Sequence, residues 1–209
     1  EIFDTISGIK EYQIGKGKPA QTKEQVAERV FNSMIKINDT YLPELRGKNI
    51  LKYNYEWNNE YISYGNWLAE PRLSSFFIGE KIIVRQIPGK KSLIASYVKN
   101  DFVVDQTAYI AKPKTDCNLL FYLGILTSKL IYWYFQNINN EFDSLFPKIK
   151  VKEFNSLPLP KLELNKVEIT DIVSKIISTK QSIPTTDTTS LESEIDQLVY
   201  ELYGLTAEE

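Results

Sequence analysis

Histidine is absent from this 209-residue sequence, and cysteine occurs once, as Cys117. Without an imidazole the chain cannot build a Ser-His-Asp or Cys-His catalytic triad or a histidine-ligated zinc site. A single cysteine allows neither an internal disulfide nor a CxxC motif for metal binding or redox chemistry. These common classes of enzyme and metal site are therefore excluded for this sequence.

Long apolar runs and targeting signals are also missing. The most apolar stretch, residues 119–135, is shorter than the ~20 residues that span a membrane, and polar residues interrupt it. The start of the chain shows no basic-then-apolar signal peptide. Because the first residue is Glu1 and the only methionine is Met34, we expect a piece of a longer protein, with a cytoplasmic location and no membrane partner.

Motifs that bind cofactors or carry out catalysis are lacking as well. There is no GxGxxG motif, and Gly15-Lys16-Gly17-Lys18 is too short for a phosphate-binding P-loop. The sequence has neither the Asn-Pro-Pro-Tyr motif of amino-methyltransferases nor a Pro-Asp … Glu-x-Lys nuclease constellation. We therefore predict no catalytic residue, metal site or cofactor in this chain. The enzymatic alternative is a magnesium-dependent nuclease using Asp101, Asp105 and Glu141, although a polar contact at a strand end is the favoured role of Asp105.

Charge divides the chain after Pro160, where Leu157-Pro158-Leu159-Pro160 predicts an extended break that neither a helix nor a central strand tolerates. Residues 1–160 carry 21 basic and 17 acidic side chains, whereas residues 161–209 carry 4 and 10. We predict a first domain over residues 1–160 and a separate unit over residues 161–209, each with its own partners.

Hydrophobic patterning predicts an α+β fold for the first domain. The first eighty residues mix aromatic residues and glycines, which indicates loops, short strands and one short helix within residues 23–36. Apolar residues cover nearly the whole circumference of residues 118–137, which predicts a single buried central helix. Between these parts, a β-meander is predicted by three β-branched or aromatic runs at residues 81–86, 93–97 and 102–111.

The C-terminal unit shows two stripes of apolar residues at helical spacing, in residues 169–177 and 191–202. They predict a hairpin of two amphipathic helices that serves as a spacer or docking element. The second helix carries acidic residues on one face, namely Glu192, Glu194, Asp196 and Glu201. A solvated helix surface is the favoured interpretation of this face, and docking to a neighbouring domain is the alternative.

Basic side chains on predicted turns are candidates for phosphate contacts. Neutralisation of phosphates by such groups is the sequence-independent part of DNA affinity. The candidates are Lys16, Lys18, Arg46, Lys48, Lys90, Lys91, Lys148 and Lys150. Surface solubility is the alternative for each lysine, because a pI of about 5.5 is not typical of a basic domain.

Arg85 and Gln86 are candidates of a different kind, since they end a predicted strand just before a tight turn. Arginine reads guanine and glutamine reads adenine by paired hydrogen bonds in the major groove. The alternative for Arg85 is a structural bond to local carbonyl groups or to Asp105.

Short motifs occur along the chain in the order that one protein family shows. They are Gly15-Lys16-Gly17-Lys18-Pro19, Tyr41-Leu42-Pro43-Glu44-Leu45-Arg46-Gly47-Lys48-Asn49-Ile50, Ile83-Val84-Arg85-Gln86-Ile87, Val104-Asp105-Gln106-Thr107, Leu123-Gly124-Ile125-Leu126-Thr127-Ser128-Lys129-Leu130-Ile131, Phe146-Pro147-Lys148-Ile149-Lys150 and Leu157-Pro158-Leu159-Pro160. On these motifs, and on the closing Glu194-Ile195-Asp196-Gln197-Leu198-Val199-Tyr200-Glu201-Leu202-Tyr203-Gly204-Leu205, the chain resembles the TaqI-like C-terminal specificity domain over nearly its whole length.

The resemblance implies the target-recognition domain of a bacterial type II restriction-modification enzyme. The upstream part of such an enzyme is an adenine-N6 DNA methyltransferase, with or without a fused endonuclease. Double-stranded DNA and the methyltransferase domain of the same polypeptide are the expected partners, and the parent protein is expected to use S-adenosylmethionine and, for cleavage, magnesium. Gln106 is a further candidate DNA contact, because it belongs to the Val104-Asp105-Gln106-Thr107 motif that the chain shares with this family. A protein or carbohydrate interaction module is the alternative function, suggested by the aromatic content and the acidic C-terminal part.

Overall fold

The computed structural model describes residues 2–139, 147–161 and 166–206 and shows a mixed α+β fold. Its strands are β1 Phe3–Ser7, β2 Asn32–Ser33, β3 Tyr41–Leu45, β4 Ile50–Leu51, β5 Asn54–Tyr55, β6 Tyr61–Ser63, β7 Lys81–Arg85, β8 Ala95–Val98, β9 Val103–Val104 and β10 Ala108–Pro113. Its helices are α1 Lys23–Glu28, α2 Leu119–Leu126, α3 Lys129–Ile138, α4 Val151–Asn155, α5 Lys166–Ser182 and α6 Thr189–Leu202. The α+β class predicted from the sequence is confirmed.

The first sheet has the order β1-β10-β7-β8, and all its neighbouring strands are antiparallel. Alternate residues of β7 enter two different cores, which explains why its sequence is continuously apolar. Ile82 and Val84 lie in the core beneath the helices. Ile83 lies in a second core shared with the second sheet, whose order is β2-β6-β3-β9.

The predicted β-meander is wrong in its connectivity. The third apolar run splits at Asp105–Thr107 into β9, which pairs in parallel with β3, and β10, which pairs with β7. In the predicted meander β10 would pair with β8. In the structure β10 pairs with β7 instead, on the side opposite β8. Apolar runs show which segments are buried, but strands buried on both faces carry no alternation that could fix their neighbours.

The predicted central helix over residues 118–137 is two helices, α2 and α3, separated at Thr127 and Ser128. The Ser128 hydroxyl accepts a hydrogen bond from the Ile131 N–H and caps α3, while the Thr127 hydroxyl bonds the Leu123 carbonyl. Ser and Thr side chains favour such local bonds over a continued helix. The prediction of all-round burial is right for α2, in which seven of eight residues are buried.

The C-terminal helices pack directly on α2. A Cβ atom on Gly124 would lie only 2.7 Å from Ile169 Cγ2, so the glycine permits the close approach of α2 and α5. Val173 and Ile176 of α5 and Val199 of α6 are fully buried in the same core as the β-strands. The division of the chain at Pro160 stays a prediction.

The acidic face of α6 is only partly solvated, which corrects the favoured prediction. Asp196 is buried, and its carboxylate accepts a hydrogen bond from the backbone N–H of Lys129 at 2.8 Å. Glu192 pairs with Lys52 at 2.7 Å, whereas Glu194 and Glu201 are exposed. Two of the four carboxylates therefore hold α6 against the rest of the chain.

Candidate nucleic-acid interface

Three segments that are distant in sequence meet at one end of the first sheet. The backbone N–H of Gln86 bonds the Thr107 carbonyl at 2.9 Å, and the Ile149 N–H bonds the Gln86 carbonyl at 3.0 Å. These bonds join the end of β7, the turn between β9 and β10, and residues 148–150. The structure thereby brings together five of the predicted site residues, which we name the sheet-end cluster: Arg85, Gln86, Gln106, Lys148 and Lys150.

Two of its lysines are directed outwards by the buried residue between them. Ile149 has no exposed surface, whereas Lys148 and Lys150 on either side of it are exposed. Side chains alternate in extended backbone, so two residues that flank a buried one face the opposite side. Burial of Ile149 therefore fixes this segment on the core, and the two lysines on either side of it carry two positive charges on the exposed surface.

The turn that carries Lys90 and Lys91 contacts helix α3, and the sheet-end cluster contacts Asn139, the residue that follows this helix. The Tyr132 hydroxyl donates to the Gly89 carbonyl at 3.0 Å, and the Asn139 amide donates to the Lys148 carbonyl at 3.1 Å. Tyr132 lies in α3 and Asn139 caps the C-terminal end of the same helix, so α3 connects the turn of Lys90 and Lys91 to the sheet-end cluster. Lys90 and Lys91 are exposed.

Arg85 and Gln106 have polar groups available for another molecule. Among the described residues, neither side chain has a hydrogen-bond or ion-pair partner, so the predicted structural bond of Arg85 to Asp105 is not formed. Gln86 differs, because its amide donates to the Tyr109 hydroxyl at 3.0 Å. Gln106 is exposed and Arg85 is half-buried.

The turn around Gln106 is held by Asp105 and Thr107. The Asp105 carboxylate accepts hydrogen bonds from the backbone N–H and the hydroxyl of Thr107, and the Thr107 hydroxyl accepts one from the Gly47 N–H at 2.7 Å. Burial raises the pKa of Asp105 against the opposing effect of these bonds. The prediction of a polar strand-end contact for Asp105 is confirmed.

Arg46 occupies a cluster of ion pairs below the Gly47 loop and is one-fifth exposed. Its guanidinium contacts Glu11 at 2.7 Å, Glu44 at 2.9 Å and Glu60 at 3.0 Å. Lys48 is exposed but pairs with Glu60 at 2.6 Å. The roles of Arg46 and Lys48 as phosphate contacts stay predictions, for which these ion pairs would have to exchange partners.

Glu44 is the buried centre of this ion-pair cluster and has no exposed surface. Desolvation, reinforced by the adjacent Glu11 carboxyl, raises the pKa of Glu44 to about 9. Hydrogen bonding to Glu44 and the charges of Arg46 and Arg29 lower the pKa of Glu11 despite its own burial. The two neighbouring carboxyl groups therefore have pKa values displaced in opposite directions, upwards for Glu44 and downwards for Glu11.

Lys16 and Lys18 lie in a different loop, which packs on Trp67. A Cβ atom on Gly17 would lie 2.2 Å from the Trp67 carbonyl oxygen, and the Lys18 N–H bonds the Asn66 carbonyl at 2.8 Å. Both lysine side chains are exposed. The structure does not link this loop to the sheet-end cluster by any bond between described residues.

Metal binding and membrane insertion have no structural counterpart in the described ranges. Residues 2–139, 147–161 and 166–206 contain no group of three or more Cys, Asp or Glu placed to hold a metal ion. Asp101 accepts a hydrogen bond from the Gly79 N–H, Asp105 belongs to the Thr107 turn, and Glu141 lies outside the described residues. None of the helices described is long and apolar enough to cross a membrane.

Sequence reasoning missed the residues that organise this surface, above all Thr107 and Tyr132. Thr107 holds the turn around Gln106, and Tyr132 holds the turn of Lys90 and Lys91. Thr107 stands in the Val104-Asp105-Gln106-Thr107 motif, where Asp followed two residues later by Thr is a signal for a local side-chain turn. Tyr132 has no comparable signal, because its partner is 43 residues away.

A comparison with protein families finds that the family described as the TaqI-like C-terminal specificity domain matches residues 42–159. A protein of Methanocaldococcus jannaschii, assigned as a type II restriction enzyme and methyltransferase, is 30% identical over 176 residues. That match covers 80% of this chain but only 15% of the relative, so the chain spans a small part of it.

Among solved structures, the fold is similar to a chain of the Type IIL restriction-modification enzyme MmeI, which was solved in complex with DNA. The TM-score is 0.65, and the match covers 99% of this chain and 33% of the MmeI chain. Sequence identity is 9%, so this similarity concerns the fold.

Proposed function

Because the chain belongs to the family of TaqI-like C-terminal specificity domains, we propose that it recognises duplex DNA through the sheet-end cluster. The observation that carries this assignment to a surface is that the Arg85 and Gln106 side chains, which have no partner among the residues the structure describes, lie beside exposed lysines. Hydrogen-bonding groups that read base edges must be free in the unbound protein, and cations beside them position the phosphates. The sheet-end cluster combines both kinds of group on one rigid base.

The proposed roles divide the residues into two sets. Arg85 and Gln106 contact base edges, whereas Lys90, Lys91, Lys148 and Lys150 contact phosphates. Lys16 and Lys18, on their separate loop, extend the phosphate contacts along the duplex. Gln86 supports the sheet through Tyr109, and Arg46 with Lys48 holds the Gly47 loop, so we assign these three a secondary part in binding.

The parent protein that we propose is an adenine-N6 DNA methyltransferase of a restriction-modification system, with or without a fused endonuclease. It is supported by the name of the M. jannaschii relative, of which this chain matches 15%. Such a parent would use S-adenosylmethionine, and magnesium for cleavage, in domains other than this one, and would act in the cytoplasm. A methyltransferase takes its target base out of the stack, so a separate domain that holds the duplex and reads neighbouring base pairs is required.

The proposal is tested by fluorescence anisotropy with a labelled 30-base-pair duplex and the 209-residue chain. Binding should weaken as salt rises, because phosphate contacts release condensed counterions. The double variant Lys148→Ala, Lys150→Ala should reduce the slope of log affinity against log salt by about one for each phosphate that is no longer neutralised. Lys175→Ala, on the exposed surface of α5, is the matched control. Absence of duplex binding, or salt-independent binding, would reject the proposal.

A protein interaction module is the second candidate, favoured by one specific observation. Met34, Ile35 and Ile37 are 62%, 68% and 59% exposed in a single loop. Apolar residues exposed together are typical of surfaces that contact another protein. The same titration separates the two functions, because a module that binds only proteins has no affinity for the duplex.

A further inference from the structure

We infer that Gln106 is a specificity-determining residue that reads an adenine, and that the Thr107 hydroxyl is its positioning group. The inference rests on the proposed DNA recognition and deepens it, since it names one base and the residues that select it. The inference arises from a contrast at Gln106. Its side chain has no partner among the described residues, whereas the backbone on both sides of it is hydrogen-bonded.

The Gln106 carboxamide is exposed, and within the part of the chain that the structure describes it makes no hydrogen bond. A solvated glutamine on a loose loop would carry no information, because it could adopt many conformations. The turn here is not loose. Asp105, immediately before Gln106, is buried, and its carboxylate binds both the N–H and the hydroxyl of Thr107, immediately after it.

The backbone on either side of Gln106 is fixed by three hydrogen bonds to other parts of the chain. The Gln86 N–H bonds the Thr107 carbonyl at 2.9 Å, the Asp105 N–H bonds the Leu45 carbonyl at 3.0 Å, and the Gly47 N–H bonds the Thr107 hydroxyl at 2.7 Å. Two separate segments, residues 45–47 and the end of β7, therefore converge on the turn that carries one exposed residue.

Two glycines allow this convergence. A Cβ atom on Gly8 would lie 2.1 Å from the Asp105 carbonyl oxygen, and one on Gly47 would lie 2.7 Å from the Thr107 carbonyl oxygen. Backbone of two other segments thus touches the turn directly, with no side chain between them. Such close packing limits the motion of the turn more than hydrogen bonds alone would.

The chemistry of the presented group points to adenine. A carboxamide offers one acceptor and two donors, which match the N6 amino group and the N7 atom of adenine in the major groove. A bidentate contact of this kind discriminates best when the side chain starts from a fixed backbone position, and the bonds of Thr107 to Asp105 and Gly47 supply that position. Replacing the amide by a carboxylate should change the preferred base, because glutamate accepts from the cytosine N4 amino group.

The test is selection of binding sequences from a duplex library with a randomised central segment, using the 209-residue chain. The wild type should enrich a motif that contains an adenine, and Gln106→Ala should lose the preference at that base pair, with about tenfold or greater loss of affinity for the selected duplex. Gln106→Glu should shift the preference at the same position towards cytosine. The salt slope and melting temperature of both variants should stay at the wild-type values.

Thr107 is tested as a positioning residue with a conservative pair. Thr107→Val removes the hydroxyl and should weaken the adenine preference while leaving the salt slope unchanged; Thr107→Ser keeps the hydroxyl and should restore the preference. A uniform loss of affinity for all sequences in Thr107→Val, not rescued by serine, would overturn the positioning role.

The outcomes also separate this inference from the proposed function. If the wild type enriches no motif, sequence-specific recognition itself fails. If the wild type enriches a motif and Gln106→Ala enriches the same one, recognition stands and the role of Gln106 is rejected.

Discussion

Arginines of two opposite kinds lie within this domain, and their environments predict opposite consequences of removal. Arg85 has no partner among the described residues, whereas Arg46 binds three carboxylates in a buried cluster. A free arginine contributes little to stability, while removal of one partner from a buried ion pair leaves uncompensated charge. The contrast separates residues that serve recognition from residues that serve the fold.

We predict that Arg85→Ala leaves the free energy of unfolding within about 0.5 kcal/mol of wild type. The same variant should lose about 1–3 kcal/mol of binding at a selected duplex and relax the preference at one base pair. Arg46→Ala, as the contrasting variant, should lower the unfolding free energy by about 3–5 kcal/mol. Urea unfolding and anisotropy on the same preparations measure both quantities, and a strongly destabilised Arg85→Ala protein would remove Arg85 from the recognition set.

A second prediction at the residue scale concerns pH. The pKa of Glu44 is raised by burial from 4.5 to about 9. The folded protein then holds a proton that the unfolded chain releases, so the contribution of Glu44 to stability is present below pH 4.5 and is lost as pH rises through 9. Glu44→Gln is neutral at every pH, and we expect its melting temperature to fall less than that of the wild type between pH 7 and about pH 10.

Lys81 also changes its charge between pH 7 and about pH 10. The Glu44 experiment must therefore compare the pH profile of the wild type with that of Glu44→Gln. Burial lowers the pKa of Lys81 to about 8, and its contribution to stability changes with pH in the opposite direction. Both proteins contain Lys81, and its effect cancels in the difference between their pH profiles. Parallel profiles for wild type and Glu44→Gln would show that Glu44 is already ionised in the folded protein at pH 7.

Helix boundaries show how far local sequence signals reach. The break between α2 and α3 was available in the sequence, because Thr127-Ser128 contains a good N-cap residue. The apolar pattern continues on both sides of Thr127-Ser128, and it therefore favoured the prediction of one long helix. The pairing of β10 with β7 carried no such local signal, since it depends on which strands the cores bring together.

A prediction at the element scale concerns the contact between α3 and α6. Asp196 accepts from the N–H of Lys129 at 2.8 Å and pairs with its ammonium group at 3.0 Å, so a carboxylate of one helix caps the positive end of another. Asp196→Ala should lower the unfolding free energy by about 1–3 kcal/mol, because it leaves a partly buried N–H unpaired. Asp196→Asn keeps an acceptor and should lose less.

The control for that experiment is Glu194→Ala, which removes an exposed carboxylate from the same helix. It should change the unfolding free energy by no more than about 0.5 kcal/mol. Equal effects of the Asp196 and Glu194 substitutions in urea unfolding would mean that the cap contributes nothing beyond surface charge.

At the scale of the whole molecule, the sequence allowed the fold class and the candidate residues to be predicted but not their assembly. Patterns of charge and turns indicated Arg85 and Lys148 separately, and the motif shared with the family indicated Gln106. Their meeting at one sheet end depends on backbone bonds between residues 86, 107 and 149, which no local pattern contains. Arg46 was predicted as a phosphate contact for the same reason. Its ion-pair partners Glu11 and Glu44 come close to it only in the folded chain, so the sequence does not show that its charge is paired.

The last prediction concerns cooperativity between the C-terminal helices and the sheets. Ile176 of α5 is fully buried in the core that also contains Ile82 of β7, so loss of its side chain should weaken the whole molecule. We predict that Ile176→Ala lowers the unfolding free energy by about 2–5 kcal/mol.

Two probes distinguish unfolding of the whole chain from unfolding of the helices alone. Trp57 and Trp67 pack against the second core, whereas Trp133 lies on α3, so tryptophan fluorescence in a Trp133→Phe background reports on the sheets, while far-UV circular dichroism reports on the helices. Both transitions should shift together in Ile176→Ala, because the helices and the first sheet share one core. Ile183→Ala, at a position 60% exposed, is the matched control and should shift neither. A dichroism transition that precedes the fluorescence transition would instead support two independent units divided at Pro160, and would place the acidic helices outside the folding unit that carries the sheet-end cluster.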